Sequence, residues 1–394
     1  MGNVLEGIRV LDFGRYIAGP YCATMLGDLG AEVIRIEKVA GSEDRYVAPV
    51  GDDGAGALFL QMGRNKRGMT LDPMKPEGRR IVEQLVATAD VVVANLPGAT
   101  LAAMGLDYDS LKAIKADIIL TTASAFGSRG PYAERVGFDG IGQAMGGAVY
   151  MSGAPDAPVR AVVPYVDFGT ALYSTVGTLA ALMERRKSGK GQRVEASLLG
   201  TSLSFNNATL IEQAVIEANR VATHNRGQTA APVDIFPTRD GRIIVQVVGN
   251  PLFQRWARLM GEEHWLTDPR FADDLSRGEN GEIVSRRMAA WCAERTNEAC
   301  LAELEAARIP AGPVLSPQGA LDDPHVRAAE YFQPLDYPGL PRPAPVSPTP
   351  VGLSRTPATI RHRAPTLGEH TEAILAELGY QPGEIAQLRR DGVV

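Results

Sequence analysis

Apolar residues in the first third of the chain fall into short runs separated by stretches of helical spacing, an alternation that predicts an α/β fold. Residues 8–13 (IRVLDF) have the brevity and apolar content of a buried strand, and residues 14–20 form a turn. Residues 21–29 read as a helix closed by Gly30 in a left-handed cap, and residues 31–37 (AEVIRIE) as a second strand. A strand–helix–strand unit of this kind implies a parallel sheet. The pattern then repeats: a helix over 76–89 leads into a strand at 90–94 (DVVVA), and a shorter helix ending near Ile114 leads into 117–123 (DIILTTA). Strands this apolar are expected where helices cover both faces. A doubly wound α/β domain over roughly residues 1–205 follows.

Farther along, residues 168–187 form a long helix that is apolar on most sides, which predicts a course through the interior. It ends in Arg185, Arg186 and Lys187 with Gly189 and Gly191 behind them, cations in the last turn and glycines to break it. Another helix is expected over 198–219. After Arg226–Gly227–Gln228 the character changes. Asp240–Gly241 reads as a hairpin turn before a strand at 242–248, and helices follow over 251–261 and 285–308. The expected organisation is a large domain over 1–220, a smaller one over 225–325, a proline-rich linker over 326–365, and a segment, 366–394, whose helix docks back on the large domain. Residues 310–365 hold about half of the chain's 27 prolines.

Composition narrows the function. With 40 Lys and Arg against 46 Asp and Glu, the formal charge is −6, which argues against nucleic acid as a partner. Three cysteines without C-x-x-C spacing suit a reducing compartment, and five scattered histidines give no metal-ligand spacing. No apolar run reaches about 18 residues and no leader-like start is present, so the reading is cytoplasmic, with no membrane partner and no metal.

Asp167 immediately precedes the long apolar helix. On position alone it reads first as an N-cap, and compatibly as a carboxylate nucleophile, held ionised by the helix N-terminus and screened from water by Tyr165 and Phe168. The segment Gly14–Pro20 lies where open α/β sheets place ligands, yet it is not G-x-G-x-x-G, so a nicotinamide dinucleotide is a weak reading even with Glu37 downstream. Three basic clusters, Arg35 with Lys38, Arg64 with Lys66 and Arg67, and Arg129 with Arg135, are either solvated faces or a phosphate-binding rim. The glycine-dense stretch 137–147 is either close packing or room for a ligand against the backbone.

The ordered set of segments resembles the family III CoA-transferases, a superfamily that includes the α-methylacyl-CoA racemases. It runs LEGIRVLD at 5–12, Ala18–Gly19–Pro20, LGDLGAEVIRIE at 26–37, Asn65–Lys66–Arg67, Gly137–Phe138–Asp139 and Asp167. It continues with LAAL at 179–182, GKGQ at 189–192, Asp240–Gly241 and DPRF at 268–271. The resemblance covers nearly the whole chain. It implies a Rossmann-like large domain with a parallel sheet, a smaller α+β domain, and an interlocked homodimer. It also implies transfer of CoA from an acyl-CoA to a carboxylic acid, short-chain or dicarboxylic, through an aspartyl anhydride and an aspartyl-CoA thioester on Asp167. No cofactor would be permanently bound, since coenzyme A is part of the substrate. The CoA site expected on this basis comprises Ala18, Lys38, Arg64, Lys66, Asn95, Met104, Ser124, Arg129 and Arg135. Arg15 or Arg226 could meet a distal carboxylate.

The departures select within the family. Formyl-CoA:oxalate transferases carry a glutamine where Ile17 stands, an arginine where Ala103 stands, and a glycine-rich loop that this chain lacks, so oxalate is a poor substrate guess. Racemases carry a histidine where Phe138 stands and a glutamate where Asn250 stands. A two-base proton exchange needs two titratable groups, so transfer is favoured over isomerisation, with a non-catalytic CoA-binding protein as a third reading.

Overall fold

In a computed structural model, which describes residues 3–51 and 55–394, the apolar runs become strands of one sheet. The chain divides into two compact units, Met1–Gly146 with Ala161–Leu210 and Arg327–Val394, and Gly147–Arg160 with Ile211–Val326.

The first unit is built on β1 (Arg9–Asp12), β2 (Glu32–Glu37), β3 (Lys66–Thr70), β4 (Val91–Ala94), β5 (Ile119–Ser124) and β6 (Arg193–Ser197). All pair in parallel, in the order β3-β2-β1-β4-β5-β6. Alternate residues enter opposite layers. Leu11, Ile34, Ile36, Val92 and Ala94 pack with helix α2 (Pro76–Thr88) and with Ile374, Leu375, Ile385 and Leu388 of the C-terminal helices Thr371–Glu377 and Pro382–Arg390. Val10, Val33, Val91 and Val93 pack on the other face with α1 (Ala18–Asp28) and with Ala171, Ala181 and Leu182 of α4 (Tyr165–Ser188). Between α2 and α4 runs the short α3 (Asp139–Met145). Gly177 brings α4 close to the sheet, since a Cβ there would meet Val194 Cγ1 at 2.6 Å.

The second unit holds a three-stranded antiparallel sheet, β7 (Val233–Pro237), β8 (Arg242–Gln246) and β9 (Ala311–Pro313), in the order β9-β8-β7. The turn between β7 and β8 contains Asp240–Gly241 and closes with Thr238 N–H donating to Gly241 O at 3.0 Å. Helices Asn250–Met260 and Gly281–Ala293 cover the sheet around Trp256, Phe271 and Met288.

Several elements differ from the sequence reading. β3 and β6 carry too many charged residues to read as strands. The single helices expected over 198–219 and 285–308 are each two, broken at Asn206 and around Thr296, whose hydroxyl caps the second of the latter pair. Helix α4 does not run wholly inside: Leu172, Tyr173, Val176 and Met183 form an exposed apolar stripe along it. The proline-rich stretch forms a small hairpin, Gln333–Leu335 with Ala344–Val346, and buries Tyr337 and Ala364 against Phe59.

Candidate active site

Strand order reverses between β1 and β4, so a crevice opens beyond their carboxyl ends. The loop after β1 is fixed residue by residue. Gly14 N–H donates to Asp12 Oδ1 at 2.8 Å, and Gly14 O accepts from Arg35 Nη1 at 3.1 Å. Asn95, just past β4, clamps Arg15 from both sides: its Oδ1 accepts from Arg15 N–H at 2.7 Å and its Nδ2 donates to Arg15 O at 2.8 Å. Tyr16 sits at φ 60° with its N–H donating to Asp44 Oδ2 at 3.1 Å. A non-glycine residue in that region costs on the order of 1–3 kcal/mol, and it persists because the surrounding bonds over-determine it. Beneath the loop lies a buried ionic cluster. Lys66 Nζ meets Asp12 Oδ2 at 2.7 Å, Arg35 Nη2 meets Asp44 Oδ2 at 2.7 Å, and Arg45 Nε donates to Glu37 at 3.2 Å.

Asp167 lies in the first turn of α4, but it is not the cap. That role falls to Asp139, whose Oδ1 accepts from Val166 N–H at 2.8 Å and from Asp167 N–H at 3.1 Å. Gln143 Nε2 holds the other Asp139 oxygen at 2.5 Å and bonds Ala161 as well, with Ala161 N–H donating to Gln143 Oε1 at 2.9 Å. Gly142 makes room for this packing, because a Cβ there would meet Val166 Cγ1 at 2.8 Å.

The free N–H groups of the helix therefore serve Asp139. Among the described residues none donates a hydrogen bond to the Asp167 carboxylate. Burial, with Asp139 beside it, pushes Asp167 up to about 7. The helix N-terminus does not hold it ionised, contrary to the sequence reading. Phe168 packs edge-on against Tyr21 and Tyr165 stacks on Phe205, so both aromatic residues of this turn are committed to packing.

Asp167 opens onto a cavity of about 300 Å³ within the first unit. Of the residues expected at the CoA site, Ala18, Asn95, Ser124 and Arg135 line it, together with Arg15, Tyr16 and Phe138. The others lie elsewhere. Arg64 is buried against Asp28, its Nη2 at 2.8 Å, and Lys66 against Asp12, so neither reaches a phosphate rim. Met104 is packed in the core beside the sheet. Lys38 is exposed and paired with Glu43, and Arg129 is exposed outside the cavity. In the second unit, Asn250 Oδ1 accepts from Arg277 Nη2 at 2.9 Å. Sequence reasoning missed Asp139 as a cap and the clamp on Arg15. The Gly137–Phe138–Asp139 motif was the available signal for the first.

A sequence model described as CoA-transferase family III matches residues 5–371. The chain belongs to CoA-transferase family III. It is 32% identical over 394 residues to the succinyl-CoA–D-citramalate CoA-transferase of Chloroflexus aurantiacus, covering 99% of this chain and 98% of that protein. With the succinate–glutarate CoA-transferase of Agrobacterium fabrum it shares 33% identity over 392 residues, 95% of each chain. A CaiB/BaiF family protein from Brucella suis has the same fold, with a TM-score of 0.83 at 32% identity over 96% of this chain and all of that one. This CoA-transferase moves CoA from an acyl-CoA thioester to a carboxylic acid, and coenzyme A is its substrate. Among the described residues, no helix is long and apolar enough to cross a membrane.

Proposed function

We propose that the enzyme exchanges CoA between short dicarboxylic acids, with Asp167 as the acyl carrier. The observation that carries this reading is the Asp167 carboxyl itself: half-buried, without a hydrogen-bond donor among the described residues, pushed up to about 7, and open to the cavity. A group left in that condition costs stability, and groups so perturbed in a cavity mark functional sites. The ionised carboxylate attacks the donor's thioester carbonyl and expels CoA thiolate, forming a mixed anhydride. The retained thiolate attacks the Asp167 carbonyl, releases the donor acid and leaves an aspartyl-CoA thioester. The acceptor carboxylate displaces the thiolate again, and the thiolate takes the acceptor acyl group from the second anhydride, returning Asp167 as a carboxylate.

The succinyl, citramalyl and glutaryl substrates in the names of the relatives, and the small cavity, support short dicarboxylic acids. Ala18, Asn95, Ser124 and Arg135 are the parts of the expected CoA site that the cavity supports. An interlocked homodimer in the cytoplasm completes the reading. The apolar stripe Leu172, Val176 and Met183 on α4 is a surface that a second copy would cover. Isomerisation is disfavoured because Phe138, which cannot carry a proton, occupies the cavity wall. The test is intact-protein mass spectrometry after mixing with succinyl-CoA, followed by peptide mapping. A CoA-sized adduct on the Asp167 peptide, absent from Asp167→Ala, is expected. Turnover by Asp167→Ala at the wild-type rate would overturn the assignment.

A further inference from the structure

The ionic cluster beneath the cavity is unbalanced. Arg15, Arg35, Arg45 and Lys66 face Asp12, Glu37 and Asp44, four cations against three carboxylates. Each carboxylate is already engaged: Asp12 by Lys66, Glu37 by Arg45 and Asp44 by Arg35. Arg15 is the cation left over, and among the described residues it makes no ion pair. Its guanidinium is nevertheless held in place. Nη1 donates to Phe13 O at 3.1 Å, Gly14 O at 2.8 Å and Ile36 O at 3.3 Å, while Nε and Nη2 have no acceptor among the described residues. The backbone from which it springs is clamped by Asn95 and fixed on the next residue by Asp44. Arg15 also lines the cavity that Asp167 opens onto.

We infer that Arg15 is the specificity determinant of the enzyme, binding the distal carboxylate of a dicarboxylic acyl group through its free guanidinium edge. This rests on the reading of Asp167 as the acyl carrier. A guanidinium with one nitrogen tied down and an open edge presents a preformed fork to a carboxylate. The cluster's surplus positive charge is neutralised when that carboxylate arrives. The same fork suits a phosphate, and position decides between the two. The thioester carbon must reach Asp167, so the cavity of about 300 Å³ takes the acyl group and the thiol end of CoA, and the guanidinium of Arg15 meets the acyl end. The phosphates of CoA lie the length of the pantetheine arm away. A substrate without the distal charge leaves a half-buried cation unpaired, the condition under which polar sites discriminate most strongly.

The test compares wild type, Arg15→Met and Arg15→Lys in steady-state transfer, with succinate and butyrate as acceptors and with succinyl-CoA and butyryl-CoA as donors. The expected result for Arg15→Met is a fall on the order of 100-fold in the ratio of kcat/KM for succinate to that for butyrate. Arg15→Lys should fall between it and wild type, because it keeps the charge and loses the fork. Affinity for free CoA, measured by calorimetry, should stay within about twofold in both variants. Three results would overturn the inference. The first is an unchanged ratio in folded Arg15→Met. The second is an equal loss on succinate and butyrate. The third is a loss of affinity for free CoA matching the loss of transfer, which would place Arg15 on a phosphate. The aspartyl-CoA adduct is read separately in each variant. Its absence from wild type with every donor would defeat the Asp167 reading, while the acceptor ratio would still report on Arg15.

Discussion

Replacing Asp167 with asparagine removes a carboxylate that destabilises the fold above neutrality, so the variant should be the more stable protein. In the folded state Asp167 is raised from 3.8 to about 7, by burial first and by Asp139 second. Below pH 3.8 the carboxyl is protonated in both states and makes no difference. Between 3.8 and about 7 the folded form holds its proton while the unfolded form has lost it, so stability falls as pH rises through this window and levels off above it. A shift of about 3 units corresponds to ~4 kcal/mol. Water on the open side of the cavity screens the charge, which reduces the figure to about 2 kcal/mol. At pH 5 only a little over one of those units has been traversed, leaving less than about 1 kcal/mol. Asparagine keeps the shape and removes the charge. Thermal melts of ligand-free Asp167→Asn should therefore exceed wild type by roughly 2–4 °C at pH 8, and by less than half of that at pH 5. A variant no more stable than wild type at pH 8, or equally stabilised at both values, would refute the account of Asp167 as an unsupported buried carboxylate.

Other residues give independent checks. Asp139→Asn removes the charge beside Asp167, so the rise of kcat/KM with pH should move to lower pH; the weakened cap should also cost about 1 kcal/mol in denaturant unfolding. Lys66→Met leaves Asp12 buried without its ammonium and should lower unfolding stability by about 3 kcal/mol, much of it recovered in the Asp12→Asn, Lys66→Met double variant. The thiols of Cys22 and Cys292 are pushed by burial up to about 11 and about 12, and that of Cys300 is raised as well. A thiol reagent at pH 8 should accordingly react slowly with the native enzyme and with all three cysteines after unfolding.

Strands with uninterrupted apolar runs were legible because burial on both faces leaves a mark on every residue. β3 was not: Lys66, which opens it, is buried only because Asp12 lies opposite, 54 residues earlier in the chain. The same blindness affected the site. Arg64 and Lys66 read as a basic cluster, and nothing local shows that Asp28 and Asp12 consume their charge. Asp167 stood out as a helix-terminal carboxylate, but its cap comes from Asp139, 28 residues away, through hydrogen bonds that no local pattern records. Asn95, expected as a ligand contact, lines the cavity and also holds the Arg15 backbone with its side chain, a role no local pattern shows. Which residues crowd the crevice was readable from the strand ends. Which of them remain free to act depended on pairings made across the sheet.

The placement of Asp139 bears directly on how a carboxylate can serve as a nucleophile. Had Asp167 capped its own helix, the N–H groups would have stabilised its charge, lowering its pKa and its reactivity together. Such stabilisation is present before attack and is lost as the oxygen's charge passes into the anhydride bond, so it raises the barrier. With Asp139 taking those donors, Asp167 is fixed by its backbone N–H while its carboxylate has no hydrogen-bond partner among the described residues. The result is a group that is half charged near neutral pH, more nucleophilic than an ordinary aspartate, and repelled rather than soothed by its neighbour. On the proposed mechanism the neighbouring charge would also help after attack: acylation would neutralise Asp167 and relieve its repulsion with Asp139, favouring the covalent intermediates.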